Sequence, residues 1–138
     1  MDADAPALAA AHAKAKVSLP EFAASLRKPG HEHACYNVKV HFPRPNGDEG
    51  AHIWLAVNEL FDDMYFCSPF ELPKDFDQLK PDQSLILTEE RIEDWMILAD
   101  GILYGGHSLR VLRELLPVEK RSEFDEHIGV REYRSGVL

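Results

Sequence analysis

Cysteine and long apolar runs are scarce in this sequence. Its 138 residues include two cysteines, Cys35 and Cys67, too few for a disulfide framework or for a zinc site made of cysteines alone. The sequence allows either one disulfide between them or two reduced thiols. No apolar run approaches the ~20 residues that a membrane-spanning helix needs. We therefore expect a protein that is not inserted in a membrane.

Basic residues are also in deficit. Lysine and arginine number 15 against 24 acidic residues, which gives a formal charge of −9. This balance argues against a nucleic-acid backbone or an anionic membrane as the main partner. Hydrophobic residues make up 45% and charged residues 28% of a 15.6 kDa chain. Such a composition predicts one folded domain rather than two domains or a disordered chain.

The N-terminus lacks the basic start and the apolar core of a secretory signal. As written, the sequence predicts a cytoplasmic protein. A periplasmic protein stays open, because an alanine-rich start also suits a mature form from which an export signal has been removed. We expect residues 1–14 to form a flexible tail.

The next segment carries a helix signal. Ser18 lies three residues before Glu21, which is the spacing of a capping box, and Pro20 is tolerated in a first helical turn. These residues predict a helix that ends near Lys28. After it, residues 35–42 alternate between apolar and polar side chains, the pattern of a strand with one buried face.

Further strands are predicted downstream, with Asp100-Gly101 as a hairpin turn; they cover residues 52–60, 64–66, 84–88, 92–99 and 102–104. A helix with a leucine stripe follows over residues 108–116, and Pro117 ends it. The predicted fold is α+β: a curled antiparallel sheet of about five to six strands with an N-terminal and a C-terminal helix packed on it. The domain then spans residues 15–117, followed by a charged C-terminal extension over 118–138 that is either mobile or docks on a partner.

Two motifs carry a family resemblance. One is Ile92-Glu93-Asp94-Trp95, and the other is Tyr104-Gly105-Gly106-His107-Ser108-Leu109-Arg110-Val111-Leu112. Through them the chain resembles the YegJ-like bacterial family, over roughly residues 15–117. The resemblance implies a small α+β fold and brings no established reaction. It also implies an association with secreted toxins, as their inhibitor.

Asp94 is the most unusual residue of the predicted sheet. Strand alternation places it on the same face as Ile92, Met96 and Leu98, so its carboxylate needs a hydrogen-bonding partner. One interpretation is an internal strut, in which Asp94 binds Arg110 or the amides at the start of the helix that follows. The other is a binding pocket, whose candidate residues are Asp94, Trp95, Tyr104, Gly105, Gly106 and Arg110.

Patterns for metal binding and catalysis are weak. The loose cluster of possible ligands lacks a second ligand pair of known spacing; it comprises His31, His33, Cys35, His41 and His52. No serine or cysteine occupies a recognisable nucleophile turn, and Ser108 is more typical of a helix cap. We therefore predict no catalytic residue, no metal, no cofactor and no enzymatic activity.

The acidic excess is concentrated in the sheet region. Residues 48–100 contain 14 acidic side chains against three basic ones. Such a surface either keeps the protein soluble or steers it toward a basic partner. The candidate contacts are the acidic Asp62, Asp63 and Glu71, with Trp54 and Phe70 as aromatic anchors.

These patterns favour a non-enzymatic protein-binding domain. The leading hypothesis is an acidic inhibitor or immunity-type protein that neutralises a basic toxin or effector by occlusion. The alternative is a small-molecule-binding or catalytic domain that uses the pocket of Asp94, Trp95, Tyr104 and Arg110. A third reading is an accessory domain with a structural role, and the oligomeric state stays open.

Overall fold

The computed structural model describes residues 5–28, 33–43, 50–73, 76–81 and 83–138. It contains three α-helices, seven strands and a short 3-10 turn at Glu89–Arg91 within these residues. The helices are α1 (Ala5–Arg27), α2 (His107–Leu115) and α3 (Val118–Ile128). The strands are β1 (Cys35–Phe42), β2 (Ala51–Phe61), β3 (Met64–Pro69), β4 (Leu85–Leu87), β5 (Ile92–Ala99), β6 (Ile102–Gly105) and β7 (Glu132–Arg134). The predicted α+β class is confirmed.

The strands form a single curled, open sheet in the order β4-β3-β2-β1-β5-β6-β7. Neighbouring strands are antiparallel, except that β7 runs parallel to β6. The sheet thus has one more strand than the upper end of the predicted range, because β7 joins it from the C-terminal region. No helix in the described ranges is both long and apolar enough to span a bilayer.

Helix α1 covers one face of the sheet. Phe22 is fully buried there, and its ring lies 5.4 Å from the Trp95 ring and 5.6 Å from the Tyr36 ring between centroids. Val38 and Val40 of β1 lie in the same core without solvent exposure. Aromatic and β-branched side chains on alternate strand positions thus form one apolar layer under the helix.

The N-terminal helix is longer than predicted. Residues 5–14, predicted as a flexible tail, belong to α1, where Ala11 and Ala15 are buried. Ser18 does not begin the helix. It lies within it, and its hydroxyl donates to the backbone oxygen of Lys14 at 2.8 Å. Small alanine side chains let the first turns pack closely, so tertiary contacts extend the helix beyond its sequence signal.

The C-terminal region is folded onto the domain rather than extended from it. Arg113 of α2 donates two hydrogen bonds to Asp125 of α3, at 2.8 and 3.0 Å. Arg110 donates to the backbone oxygen of Arg134 in β7 at 2.7 Å. The predicted boundary at Pro117 therefore separates two helices that share contacts, since arginine side chains satisfy backbone and carboxylate oxygens across it.

A register shift divides the side chains of β5 between the two sheet faces. Lys39 lies opposite Asp94, whereas the next residue, Val40, lies opposite Ile92, so Glu93 is the extra residue of a β-bulge. Ile92 consequently joins the core beneath α1. The predicted sharing of one face by Ile92 and Asp94 is wrong for this reason, because strict alternation does not hold across a bulge.

Candidate functional site

The Asp94 carboxylate is fully buried and hydrogen-bonded through both oxygens. Oδ1 accepts from the backbone amides of Trp95 at 2.8 Å and His107 at 3.2 Å. Oδ2 accepts from the Ser108 amide at 2.8 Å and the Ser108 hydroxyl at 2.6 Å. Asp94 thus caps the N-terminus of α2 from a neighbouring strand, where free amides and the helix dipole favour a negative charge.

Trp95 and Gly105 fix the strand against the start of α2. The Trp95 ring is buried under α1, and its indole nitrogen donates to the Ser18 hydroxyl at 3.0 Å. Gly105 has a φ of +68°, and a Cβ there would lie 2.4 Å from Cζ3 of Trp95. Only glycine fits this backbone conformation beside the indole ring. Gly106, also at positive φ, precedes the helix.

Arg110 contacts backbone oxygens instead of Asp94. Its guanidinium donates to the oxygen of Gly105 at 2.7 Å and to that of Arg134 at 2.7 Å, and it lies over the Tyr133 ring. No hydrogen bond or ion pair between Arg110 and Asp94 occurs within the described ranges. Burial lowers the pKa of Arg110. Tyr104 is buried as well, and its hydroxyl accepts from Arg134 at 3.4 Å.

Four residues of the predicted pocket, Asp94, Trp95, Tyr104 and Arg110, are each held by hydrogen bonds to protein groups. These four residues are not among the residues that line the groove described below. Each acceptor position of the Asp94 carboxylate faces a protein donor. This arrangement ties β5 and β6 to α2 and leaves the carboxylate no free position for a ligand.

A groove lies on the sheet face opposite α1. Its volume is about 730 Å³. Its floor is formed by side chains of β1, β2 and β5, and its sides by the 70–73 segment and the end of α3. The residues that line it are Ala34, Cys35, Tyr36, Asn37, His52, Ile53, Trp54, Ala56, Val57, Phe70, Glu71, Leu72, Pro73, Met96, Leu98, Leu109, His127 and Ile128.

Asn37 is the polar residue in the floor of this groove. It is 6% exposed and lies in β1, between β2 and β5. Across the described part of the chain, no group hydrogen-bonds its carboxamide. Its polar atoms are not sealed from solvent either. The carboxamide therefore offers a donor and an acceptor within a mostly apolar lining.

The structure brings together three of the five predicted partner-binding residues. Phe70, which is 56% exposed, lines the groove together with Glu71 and Trp54. Asp62 and Asp63 lie elsewhere, in the tight turn between β2 and β3. There Arg27 of α1 donates to the backbone oxygen of Asp62 at 2.7 Å and lies 3.8 Å from the Asp63 carboxylate.

Several groove residues were not singled out from the sequence. Met96 and Leu98 carry a signal, because they alternate with buried residues of β5, but an apolar pair on a strand is interpreted first as core. His127 and Ile128 lie in a region predicted to be an extension, so nothing placed them beside the sheet. The signal for the groove was the apolar character of both faces of β5.

Two of the described histidines, His41 and His52, lie side by side. The His52 ring stacks on His41 with centroids 4.5 Å apart, and its Nδ1 lies 2.6 Å from the Glu93 carboxylate. Lys39 lies 3.3 Å from Nε2 of His12, and burial followed by the Lys39 charge lowers the pKa of His12. The described residues contain no group of three or more possible ligands, while His31 lies outside them.

The two cysteines have different environments, and neither is in a disulfide. Cys67 is fully buried in the core, and burial raises the pKa of its thiol to about 12. Cys35 is exposed at the edge of the groove. A high thiol pKa disfavours the thiolate, which is the nucleophilic form. The hydroxyl of Ser108 donates to Asp94, and both residues are buried.

Comparison with known proteins places the chain in a bacterial context. A family model described as "Uncharacterized protein conserved in bacteria (DUF2314)" matches residues 5–131. A protein of Neisseria meningitidis serogroup B, named as an ankyrin repeat protein, is 29% identical over 97 residues. That match covers 67% of this chain and 38% of the relative, so the chain spans well under half of the relative's length. No solved structure matches the chain.

Proposed function

The chain belongs to the DUF2314 family of uncharacterized proteins conserved in bacteria, and we propose that it is a non-enzymatic protein-binding domain. The proposed contact surface is the groove on the sheet face opposite α1. One observation carries this proposal: Phe70, Trp54 and Leu98 line one groove whose lining is mostly apolar. Scattered exposed apolar residues need no explanation, but a contiguous apolar surface beside polar residues is typical of an interaction site.

The proposed partner is a basic protein. Glu71 is the acidic residue in the lining of the groove, and the described lining contains no lysine or arginine. Together with a net charge of −9, this favours association with a positively charged surface. The finer proposal is an inhibitor or immunity-type protein, which would neutralise a toxin or effector by covering its active surface. A relative named as an ankyrin repeat protein is compatible with protein–protein interaction.

The alternative, a catalytic or small-molecule site around Asp94, has less support. Asp94, Trp95 and Tyr104 are buried, and the Asp94 carboxylate is hydrogen-bonded through both oxygens. A general acid or base needs a proton position within reach of substrate. The contacts instead support a structural role for Asp94 and Arg110.

Site-specific photo-crosslinking tests the proposed surface. A photoreactive phenylalanine analogue replaces Phe70 in one variant and Val17 in a control, since Val17 is 83% exposed on α1 and belongs to the opposite side of the sheet. Both proteins are exposed to lysate of a bacterium that carries the gene. We expect one discrete crosslinked protein from position 70 and none from position 17. Equal crosslinking from both positions, or none from position 70, would contradict the proposal.

Substitution separates binding from folding. Phe70→Ser should abolish capture of the crosslinked protein yet change the free energy of unfolding by less than about 0.5 kcal/mol, because the side chain is more than half exposed. Phe22→Ala, in the core, should cost about 3–5 kcal/mol. The inhibitor role requires more: the purified partner must lose its activity in a stoichiometric complex with the wild-type protein. If the partner keeps full activity in the complex, the inhibitor role is contradicted, while the protein-binding role still stands.

A charge reversal tests the contribution of electrostatic steering. Glu71→Lys should slow association and reduce its dependence on salt, because it places a positive charge in the proposed interface. Asp63→Lys, at the turn beyond the groove, is the matched control and should have a smaller effect. Equal association rates for wild type and Glu71→Lys would contradict a basic partner.

A further inference from the structure

We propose that the groove binds an extended polypeptide segment, and that the Asn37 carboxamide hydrogen-bonds the main chain of that segment. An apolar side chain of the segment would contact Trp54 and Met96, and a basic side chain would pair with Glu71. This inference rests on the proposed function and specifies what kind of partner the groove accepts.

Asn37 supplies the first argument. Asn37 is 6% exposed as a residue, and no described protein group hydrogen-bonds its carboxamide. The carboxamide lies in the lining of the groove. Its donors and acceptor are therefore open to a bound group in the groove.

The chemistry of the carboxamide defines that group. Asparagine offers one acceptor oxygen and two N–H donors from adjacent atoms. In an extended chain, the N–H and the C=O of one residue point to the same side, as they do in the hydrogen-bonded pairs of antiparallel strands. One carboxamide can therefore accept from the N–H and donate to the C=O of a single extended residue.

The rest of the lining fits the side chains of such a segment. Trp54, Met96 and Leu98 offer an aromatic ring, a flexible thioether and a branched chain around Asn37, and methionine adapts to apolar side chains of different shape. Glu71 adds one negative charge. Alternate side chains of an extended segment point to opposite sides, so one apolar anchor faces the floor while a neighbour reaches Glu71.

The dimensions favour a segment over a broad folded surface. The groove has a volume of about 730 Å³, within the ~300–1,000 Å³ typical of sites for short or small ligands. Stable interfaces between folded surfaces bury about 800 Å² on each partner. A segment can enter between the 70–73 segment and the end of α3, where a flat surface would contact only the sides.

Peptide display provides the test, with the whole chain as the immobilised target. A library of random heptapeptides is selected for binding, and the strongest peptide is synthesised with and without an ester in place of each backbone amide in turn. Affinities are measured by calorimetry for the wild type, Asn37→Leu and Glu71→Gln. We expect selected peptides that share one large apolar residue and one lysine or arginine.

The ester series identifies the Asn37 contact. An ester removes one N–H donor, so at one position it should weaken binding to the wild type about fivefold, as loss of one hydrogen bond does. The same ester should leave the affinity of Asn37→Leu unchanged. Leucine fills the same space without an unpaired amide, and circular dichroism checks its folding. Glu71→Gln should weaken only peptides that contain the basic residue.

Three results would overturn the inference. If no ester substitution changes the affinity of the peptide for the wild type, the main chain is not bound through Asn37. This result needs no variant of the protein. Equal ester effects in wild type and Asn37→Leu would assign the contact to another residue. Failure to select any peptide, while position 70 still crosslinks a protein, would exclude an extended segment and leave the proposed function standing. Failure of both experiments would remove both proposals.

Discussion

The Asp94 carboxylate accepts two hydrogen bonds from Ser108, one from its amide and one from its hydroxyl. The two residues belong to different elements, a strand and a helix. The cap of α2 is therefore supplied by tertiary structure rather than by a residue that precedes the helix, where Gly106 offers no side chain. Helix α2 depends on β5 for its N-terminal hydrogen bonds.

Loss of this carboxylate should destabilise the whole domain. Asp94→Asn turns one acceptor oxygen into a donor that faces buried donors, and we expect the free energy of unfolding to fall by about 3–5 kcal/mol. Ser108→Ala should cost about 1.5–3 kcal/mol, because it removes one hydrogen bond to a charged group. Urea denaturation measures both. Glu93→Gln, at the adjacent and more exposed carboxylate, is the control. A full-stability Asp94→Asn variant would refute the structural role.

Two glycines provide a matched test of close packing. Gly105 and Gly136 both have positive φ, but a Cβ at Gly105 would overlap the Trp95 ring, whereas nothing lies within 4 Å at Gly136. Gly136→Ala should cost about 1–2 kcal/mol from the backbone conformation alone. Gly105→Ala should cost clearly more, because the ring must also move. Equal melting temperatures for the two variants would contradict the packing described for Trp95.

Stability should depend on pH through His107. Burial, opposed by Asp94 and aided by Arg110 and Lys14, lowers its pKa from the ordinary value of 6.5. As pH falls below about 6.5, the unfolded chain binds the proton first, so the free energy of unfolding decreases until the lower folded-state pKa is reached. Urea midpoints at about pH 7.5 and about pH 5.5 measure this loss.

The control for this prediction is a histidine replacement. His107→Gln should reduce the difference between the two midpoints, and the part that persists belongs to His12, whose pKa is lowered as well. An unchanged difference would show that His107 contributes nothing to the pH dependence.

The two thiols should differ sharply in reactivity. In the folded protein at about pH 8, a thiol reagent should modify Cys35 rapidly, since it is exposed. Cys67 should stay unmodified, because it is buried and its pKa is raised to about 12. Mass spectrometry should therefore find one modification per folded chain and two in urea. The Cys67→Ser variant is the control, and it should gain one modification, at Cys35, both in the folded state and in urea. Two modifications in the folded wild type would contradict the assignment.

The sequence predicted those parts of the fold that local patterns determine. The bounds of β1 and β5 agree with the alternation over residues 35–42 and 92–99. Strand β7 was missed because Glu132, Tyr133 and Arg134 lack apolar alternation, and their pairing depends on backbone contacts from Arg110, far earlier in the chain. Local propensity contains no information about such a partner.

The groove was predicted less completely. Trp54, Phe70 and Glu71 were selected for their chemistry, and they do lie together. The bulge at Glu93 has no sequence signal, so Met96 and Leu98 were assigned to the same face as Ile92. The alternation over residues 35–42 predicts a solvent-exposed polar face that includes Asn37, because burial of that face by the 70–73 segment and α3 depends on tertiary structure.

The alternation along β1 has a consequence for how this protein tolerates mutation. Val38 and Val40 lie beneath α1, whereas Cys35 and Asn37 lie at the groove. Substitutions at the first set should lower the abundance of folded protein, and substitutions at the second set should leave abundance intact. The alternation of one strand therefore separates positions that hold the helix-covered layer from positions that line the groove.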